Sequence, residues 1–165
     1  RDFCLSRGLG DVYKRQELGS ALEKIVSVMQ MRYRKVKFEL CRPPEDVSIC
    51  WNPLEFELCL TNVMKNGAEA CQAQNEAIVQ VVLTRHEYTA EIAVLDNGQT
   101  DKKSLENASV PLHSGKKSGL GLGLLIVRTL VERASGNFSI VREAGHTVAR
   151  IRLPLTETNN GADAG

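Results

Sequence analysis

Apolar residues first recur at helical spacing. Leu18, Leu22, Ile25 and Met29 stand three or four apart, which predicts an amphipathic helix over residues 17–34. Val36, Phe38 and Leu40 then alternate with polar neighbours, the pattern of a half-buried strand. The run "RPPED" stops it, and Val47, Ile49 and Trp51 alternate again in a second, short strand. The next helix has a marked start. Asn52 can cap it, Pro53 suits its first position, and Glu55 is placed to complete a capping box. Phe56, Leu60, Val63 and Gly67 form its inward stripe. Two β-rich runs follow over residues 78–83 and 89–95, turned by "TRHEY" and ending in "DNG". Residues 99–118 are polar, aperiodic and contain proline. A loop of that length within a compact domain is functional or disordered. A helix is expected over 121–134, and "NFSIVR" and "TVARIRL" then form a hairpin around "EAGH". Tight hairpins argue against a doubly wound parallel sheet. The predicted fold is an α+β two-layer sandwich, with three helices on one face of a mixed, mainly antiparallel sheet of about five strands.

Composition narrows the picture. At 165 residues, 42% apolar and 25% charged, the chain fits one soluble domain able to bury a core without disulfides or metals. A formal charge of +1 gives no basis for bulk electrostatic binding to nucleic acid or to a membrane surface. No apolar run approaches the roughly 20 residues of a membrane span. The five cysteines lack C-x-x-C spacing. Most lie inside apolar patterns and are expected as reduced, buried thiols, which points to a cytoplasmic setting. Residues 1–16 have neither helical nor strand period and are expected to be linker or non-native sequence, with the protein continuing upstream. Residues 156–165 are small and polar, a disordered tail. The domain itself is expected over 17–155.

The candidate chemistry begins at "HSGKKSGLGLGLLIVRTL", where Gly119, Gly121 and Gly123 alternate with leucines after two lysines. A dinucleotide fingerprint fails, because Leu124 or Ile126 stands where its third glycine belongs. A P-loop fails at Val110 and Lys117. A helix opening at Gly121 still presents unpaired N–H groups, and glycines let an anion approach them. A flexible loop with glycines easing helix–sheet packing explains this segment alone equally well. On the helix from Pro53, residues Asn62, Lys65, Asn66 and Glu69 share one stripe. A solvated face explains that stripe in isolation, although two mid-helix asparagines are disfavoured by propensity. Asp96 and Gly98 close a strand, either as a plain turn or as a carboxylate accepting from an exocyclic amine such as that of adenine.

In this order and spacing, "LCLTNVMKNGAEA", "DNG" and "SGKKSGLGLGLLIVRTLVERASG" resemble the N box and two glycine boxes of the catalytic ATP-binding domain of sensor histidine kinases. That family belongs to the GHKL superfamily, with gyrase, a heat-shock chaperone and a mismatch-repair ATPase, and has the Bergerat ATP-binding fold. The resemblance covers about residues 17–155. It implies that Asn66 coordinates Mg²⁺ between ATP phosphates and that Asn62 and Glu69 line the same face. Asp96 would bind the adenine amino group, with Gly98 giving the ring room. Residues 99–118 would be the ATP lid, and Lys116 would meet the phosphates. Gly119, Gly121 and Gly123, with Leu120 and Leu122 between them, would sit under the triphosphate. Asn66 and Lys116 are then the catalytic pair, and ATP and Mg²⁺ the cofactors.

Three features depart from the family pattern: Gly67 follows Asn66 in place of alanine, Thr100 replaces the second glycine of the first glycine box, and the lid has no aromatic-rich F box. In the ATPase branches a glutamate one turn before the metal-binding asparagine activates water. Here that residue is Asn62, which cannot take a proton, so transfer to another nucleophile is favoured. The resemblance implies a histidine acceptor on an upstream dimerisation domain, through which the protein would form a homodimer, with a response regulator as indirect partner. His86, His113 and His146 are expected at the surface. A non-catalytic nucleotide-sensing module and an anti-sigma-type serine kinase are the alternatives on the same fold.

Overall fold

A computed structural model describes residues 13–99 and 121–156. Strand β1 (Lys14–Glu17) leads into helix α1 (Leu18–Arg32), then come β2 (Val36–Cys41), β3 (Ser48–Trp51) and helix α2 (Pro53–Cys71). Strands β4 (Ala77–Arg85) and β5 (Thr89–Asp96) form a hairpin; helix α3 (Gly121–Arg133) precedes a second hairpin, β6 (Asn137–Glu143) and β7 (His146–Pro154). The main sheet has five strands in the order β2-β4-β5-β7-β6. Only the β2–β4 pair is parallel, because α2 carries the chain across between them. Three helices, among the described residues, cover one face of this open mixed sheet, as the sequence pattern predicts.

The core forms between the inward phase of the strands and the apolar stripes of the helices. Val79, Val81, Ile92, Val94, Ala149 and Ile151 meet Leu22, Met29, Leu60, Met64, Leu124 and Val127 in one buried cluster. On the other face, charges pair across strands, with Arg152 Nε 2.8 Å from Glu91 Oε1 and Arg150 Nη2 2.9 Å from Glu143 Oε2. One partner of each pair, Arg152 and Glu143, is more than half exposed, so these pairs contribute little to stability.

Two local expectations are corrected. Lys14, Arg15 and Gln16 fall in the segment expected to lie outside the fold, yet they form β1, antiparallel to β3. Strand β3 therefore belongs to a separate two-stranded ribbon. The other end of the chain also reaches it: Leu155 bridges Ile49, and Thr156 N donates to Ser48 O at 3.0 Å. The capping box does not form either. Asn52 Oδ1 accepts from Leu54 N (2.9 Å) and Glu55 N (3.4 Å) as expected. The Glu55 carboxylate instead accepts from Trp51 Nε1 at 3.0 Å. Trp51 is fully buried and meets Phe56 edge-on at 6.0 Å. Its indole N–H needs an acceptor there, and Glu55 is the one at hand.

Helix α3 ends in a Schellman arrangement, in which Gly136 N donates to Val131 O and Ser135 N to Glu132 O. The left-handed position is Ser135, at φ 63°. The cysteine expectation holds for Cys59 and Cys71, free and buried; Cys41 is free but exposed, and Cys50 is disulfide-bonded. Burial, with the nearby Glu55 charge, pushes the Cys59 thiol up to about 12, so it acts as an inert apolar group.

Candidate functional site

Helices α2 and α3 run antiparallel. Arg133, at the end of α3, lies 3.6 Å from Glu55 at the start of α2. At the other end, a Cβ placed on Gly123 would stand 3.6 Å from Asn62 Oδ1. The opening turn of α3, with its partial positive charge, is thus brought against the Asn62 turn of α2. Asn66 lies one turn further along α2 on the same stripe. Its Nδ2 is buried and has no hydrogen-bond partner among the described residues. A buried amide is ordinarily satisfied, so this one is free to meet a ligand. Its oxygen and nitrogen exchange places by a flip, so either can face that ligand.

The next residue connects this turn to the strand end. A Cβ on Gly67 would lie 3.4 Å from Asp96 Cβ and 3.5 Å from Val79 Cγ2, ordinary contact distances. Asp96 closes β5 on the helix-covered face and is 5% exposed. Its Oδ1 accepts from Gly98 N at 2.9 Å. Burial pushes its pKa up to about 6, against the Gly98 hydrogen bond and the positive charge of Arg142 and His146. Gly98 is itself buried, and a Cβ there would collide with the Ala70 carbonyl. The turn after β5 therefore lies backbone to backbone on the last turn of α2, an approach only glycine permits. Burial and the Asp96 charge hold the Cys71 thiol up at about 11, so it stays protonated beside the site.

Asn62, Asn66, Asp96, Gly98 and Gly123 are thus brought around the junction of α2, α3 and the end of β5. Glu69 shares the α2 stripe but is exposed, and Leu122 is 74% exposed on the first turn of α3. Lys116, Gly119, Leu120 and the lid beyond Gln99 lie outside the described residues, and of Gly121 only the helical backbone is described. Asn97 serves the fold: Oδ1 accepts from Ile78 N at 3.0 Å and Nδ2 donates to Glu76 O at 2.6 Å, fixing the start of β4.

Two polar residues of this junction were not singled out from the sequence. Thr147 is 4% exposed and pairs directly with Asp96 across β5 and β7. Arg142 of β6 donates through Nη1 to Gly98 O (2.6 Å) and Thr147 Oγ1 (3.0 Å), and through Nη2 to Gly145 O (3.1 Å). Their signal was available. In "NFSIVR" the inward phase is Phe138, Ile140, Arg142, and in "TVARIRL" it is Thr147, Ala149, Ile151, Leu153. A polar residue on an apolar phase marks a site.

Because a Cβ on Gly67 meets only ordinary contacts, Gly67→Ala should stabilise α2 by about 1 kcal/mol. Chemical denaturation would measure it. A destabilised variant would mean that the methyl displaces Asp96.

Comparison with known proteins places these features in a group. Residues 52–157 match the family model described as histidine kinase-, DNA gyrase B-, and HSP90-like ATPase. The sensory histidine kinase/phosphatase NtrB of Klebsiella oxytoca is 27% identical over 151 residues, covering 85% of this chain and 43% of that protein. A putative NtrY-like sensor histidine kinase of Rickettsia bellii is 34% identical over 100 residues, covering 59% of this chain and 16% of that one. This chain thus spans less than half the length of these curated relatives. Among solved structures, the nucleotide-free catalytic domain of histidine kinase ThkA superposes with a TM-score of 0.77 at 17% identity, covering 88% of this chain and 99% of that domain. Full-length ShkA in complex with AMPPNP also gives 0.77, at 16% identity, over 93% of this chain and 33% of that one.

Proposed function

The chain belongs to the histidine kinase-, DNA gyrase B-, and HSP90-like ATPase family, and from that premise we propose that it is the ATP-binding, phosphoryl-donating part of a sensor histidine kinase. The observation that carries this reading is the junction of Asn66 and Asp96. The Asn66 amide, whose nitrogen has no partner among the described residues, and the buried carboxylate of Asp96 stand on either side of Gly67, next to the opening turn of α3. Asp96 accepts from the amino group of adenine, and Gly98, packed against the Ala70 carbonyl, holds the turn whose N–H bonds Asp96 Oδ1. The phosphates then extend towards Asn62, Asn66 and the N–H groups opening α3, where helix charge favours anions. Lys116, Gly119, Leu120, Gly121 and Leu122 complete the phosphate end in this reading, with Glu69 at its rim. Asn66 offers an amide oxygen, a ligand type suited to Mg²⁺, which takes few protein ligands beside substrate phosphates and water. Bound there, the cation would neutralise charge developing on the phosphates.

Asn62 decides between water and another acceptor. It occupies the turn before Asn66, and an amide takes no proton from water at neutral pH. Phosphoryl transfer rests on positioning and charge neutralisation, so a base on this chain is dispensable when the acceptor is itself a nucleophile. His86 is exposed in the turn between β4 and β5, its backbone N–H donating to Thr89 O at 2.8 Å, and this reading gives it no part in the transfer. The acceptor is a histidine on a partnering dimerisation domain, with a response regulator downstream.

The test supplies that domain. Incubated with γ-labelled ATP and Mg²⁺, the chain should label an added dimerisation domain on histidine. Label released only as free phosphate would overturn the transfer reading.

A further inference from the structure

Beyond the groups that would meet ATP directly, Arg142 touches two parts of the purine end. From β6 it reaches across the start of β7, donating to the Gly98 carbonyl, the Thr147 hydroxyl oxygen and the Gly145 carbonyl. Guanidinium has donors only, so Thr147 Oγ1 accepts in that pair, and the hydroxyl keeps its own proton to give elsewhere. Thr147 stands directly opposite Asp96, on the same face of the sheet. The strand pair therefore presents an acceptor, the Asp96 carboxylate, beside a donor, the Thr147 hydroxyl. The edge of adenine offers the matching donor and acceptor, its amino group and the bare ring nitrogen beside it. An oxo-purine offers the reverse order.

We propose that Arg142 is the positioning residue of the purine end: it fixes the Gly98 carbonyl and turns the Thr147 hydroxyl outward as a donor, so that an amino-purine is held and an oxo-purine rejected. This rests on the adenine-nucleotide reading of the site. The fork geometry matters as well as the charge, since one planar group reaches three acceptors on two segments of chain, the turn after β5 and the stretch entering β7. Arg142 also faces Asp96 electrostatically. The groups around that carboxylate are Cys71 from α2, a neutral thiol, Arg142 from β6 and His146 from β7; its partner on β4, Val79, carries no charge.

Calorimetric titration of this chain with Mg-ATP and Mg-ITP across pH 5 to 8 tests the proposal. ITP carries an oxo group and a ring N–H where ATP has the amino group and bare nitrogen. Arg142→Ala is expected to reduce the ATP-over-ITP preference about tenfold. It should also move the pH at which ATP binding is lost upward, because a positive neighbour of Asp96 is gone. A folded Arg142→Ala chain with the wild-type preference and the wild-type pH midpoint overturns the proposal. Should that variant not fold, Arg142→Lys replaces it, keeping the charge but not the fork. Its pH midpoint should match wild type while its preference weakens, and an undiminished preference overturns the proposal. A wild-type chain that binds neither nucleotide overturns the adenine reading and the proposal with it, an outcome distinct from unchanged variants of a binding chain.

Discussion

Asp96→Asn should make the protein more stable at pH 7.5 and nearly unable to hold ATP. The carboxylate is 5% exposed, and its pKa is raised by burial from 3.8 to about 6. A raised acid favours the fold fully below the unfolded pKa and loses that contribution as pH rises through the folded pKa. Above about pH 6 the charged carboxylate is therefore a net burden on the native state. A tenfold change in proton affinity corresponds to about 1.4 kcal/mol. Allowing for residual solvent screening, the neutral amide should add on the order of 2 kcal/mol, several degrees in Tm. Asn can keep the bond to Gly98 N through its oxygen, but then presents NH₂ where the proposed site has Asp96 Oδ2 facing the amino group of adenine. Two donors meet, and affinity should fall about a hundredfold. Wild-type ATP binding should weaken as pH drops through about 6, and the variant should show no such step. Thermal melts beside calorimetry at several pH values read both effects. A variant that melts lower, or binds ATP as wild type does, refutes the assignment.

The second large effect is expected at Asn66. Asn66→Ala should remove the Mg²⁺-dependent part of ATP affinity, roughly a hundredfold, and leave metal-free ATP binding near wild type. The fold should not suffer. Nδ2 of Asn66 is buried with no partner, so its removal breaks no bond among the described residues. Alanine is also the better helix former, by about 0.6 kcal/mol. Titrations with and without EDTA, paired with denaturation curves, separate the two quantities. An alanine variant that still gains affinity from Mg²⁺ would place the metal elsewhere.

Both residues drew attention in the sequence because their pattern is local, although the family resemblance and not that pattern gave them a proposed role. Two asparagines four apart in a helix, and Asp-x-Gly at the end of an apolar strand, are visible without a fold. The start of α2 was legible for the same reason, since Asn52 and Pro53 act on adjacent backbone. Glu55 was not, because its partner is set by the burial of Trp51, a tertiary event. Strand β1 was invisible because "KRQE" has no alternation; it is a strand only through pairing with β3. Arg142 and Thr147 fell between these cases. Their inward phase was readable, but their meeting with Gly98 depends on β7 lying between β5 and β6 in the sheet.

Strand β3 has a mechanical consequence. It holds β1 along one side and touches Leu155 and Thr156 near the other end of the chain. Both ends of the described domain are thus tied to one short ribbon set apart from the five-stranded sheet. Tension applied between the ends would load the bonds of β3 first. Ile49 and Trp51 of that strand are buried in the common core, so the ribbon and the two layers would take such a load as one packed body.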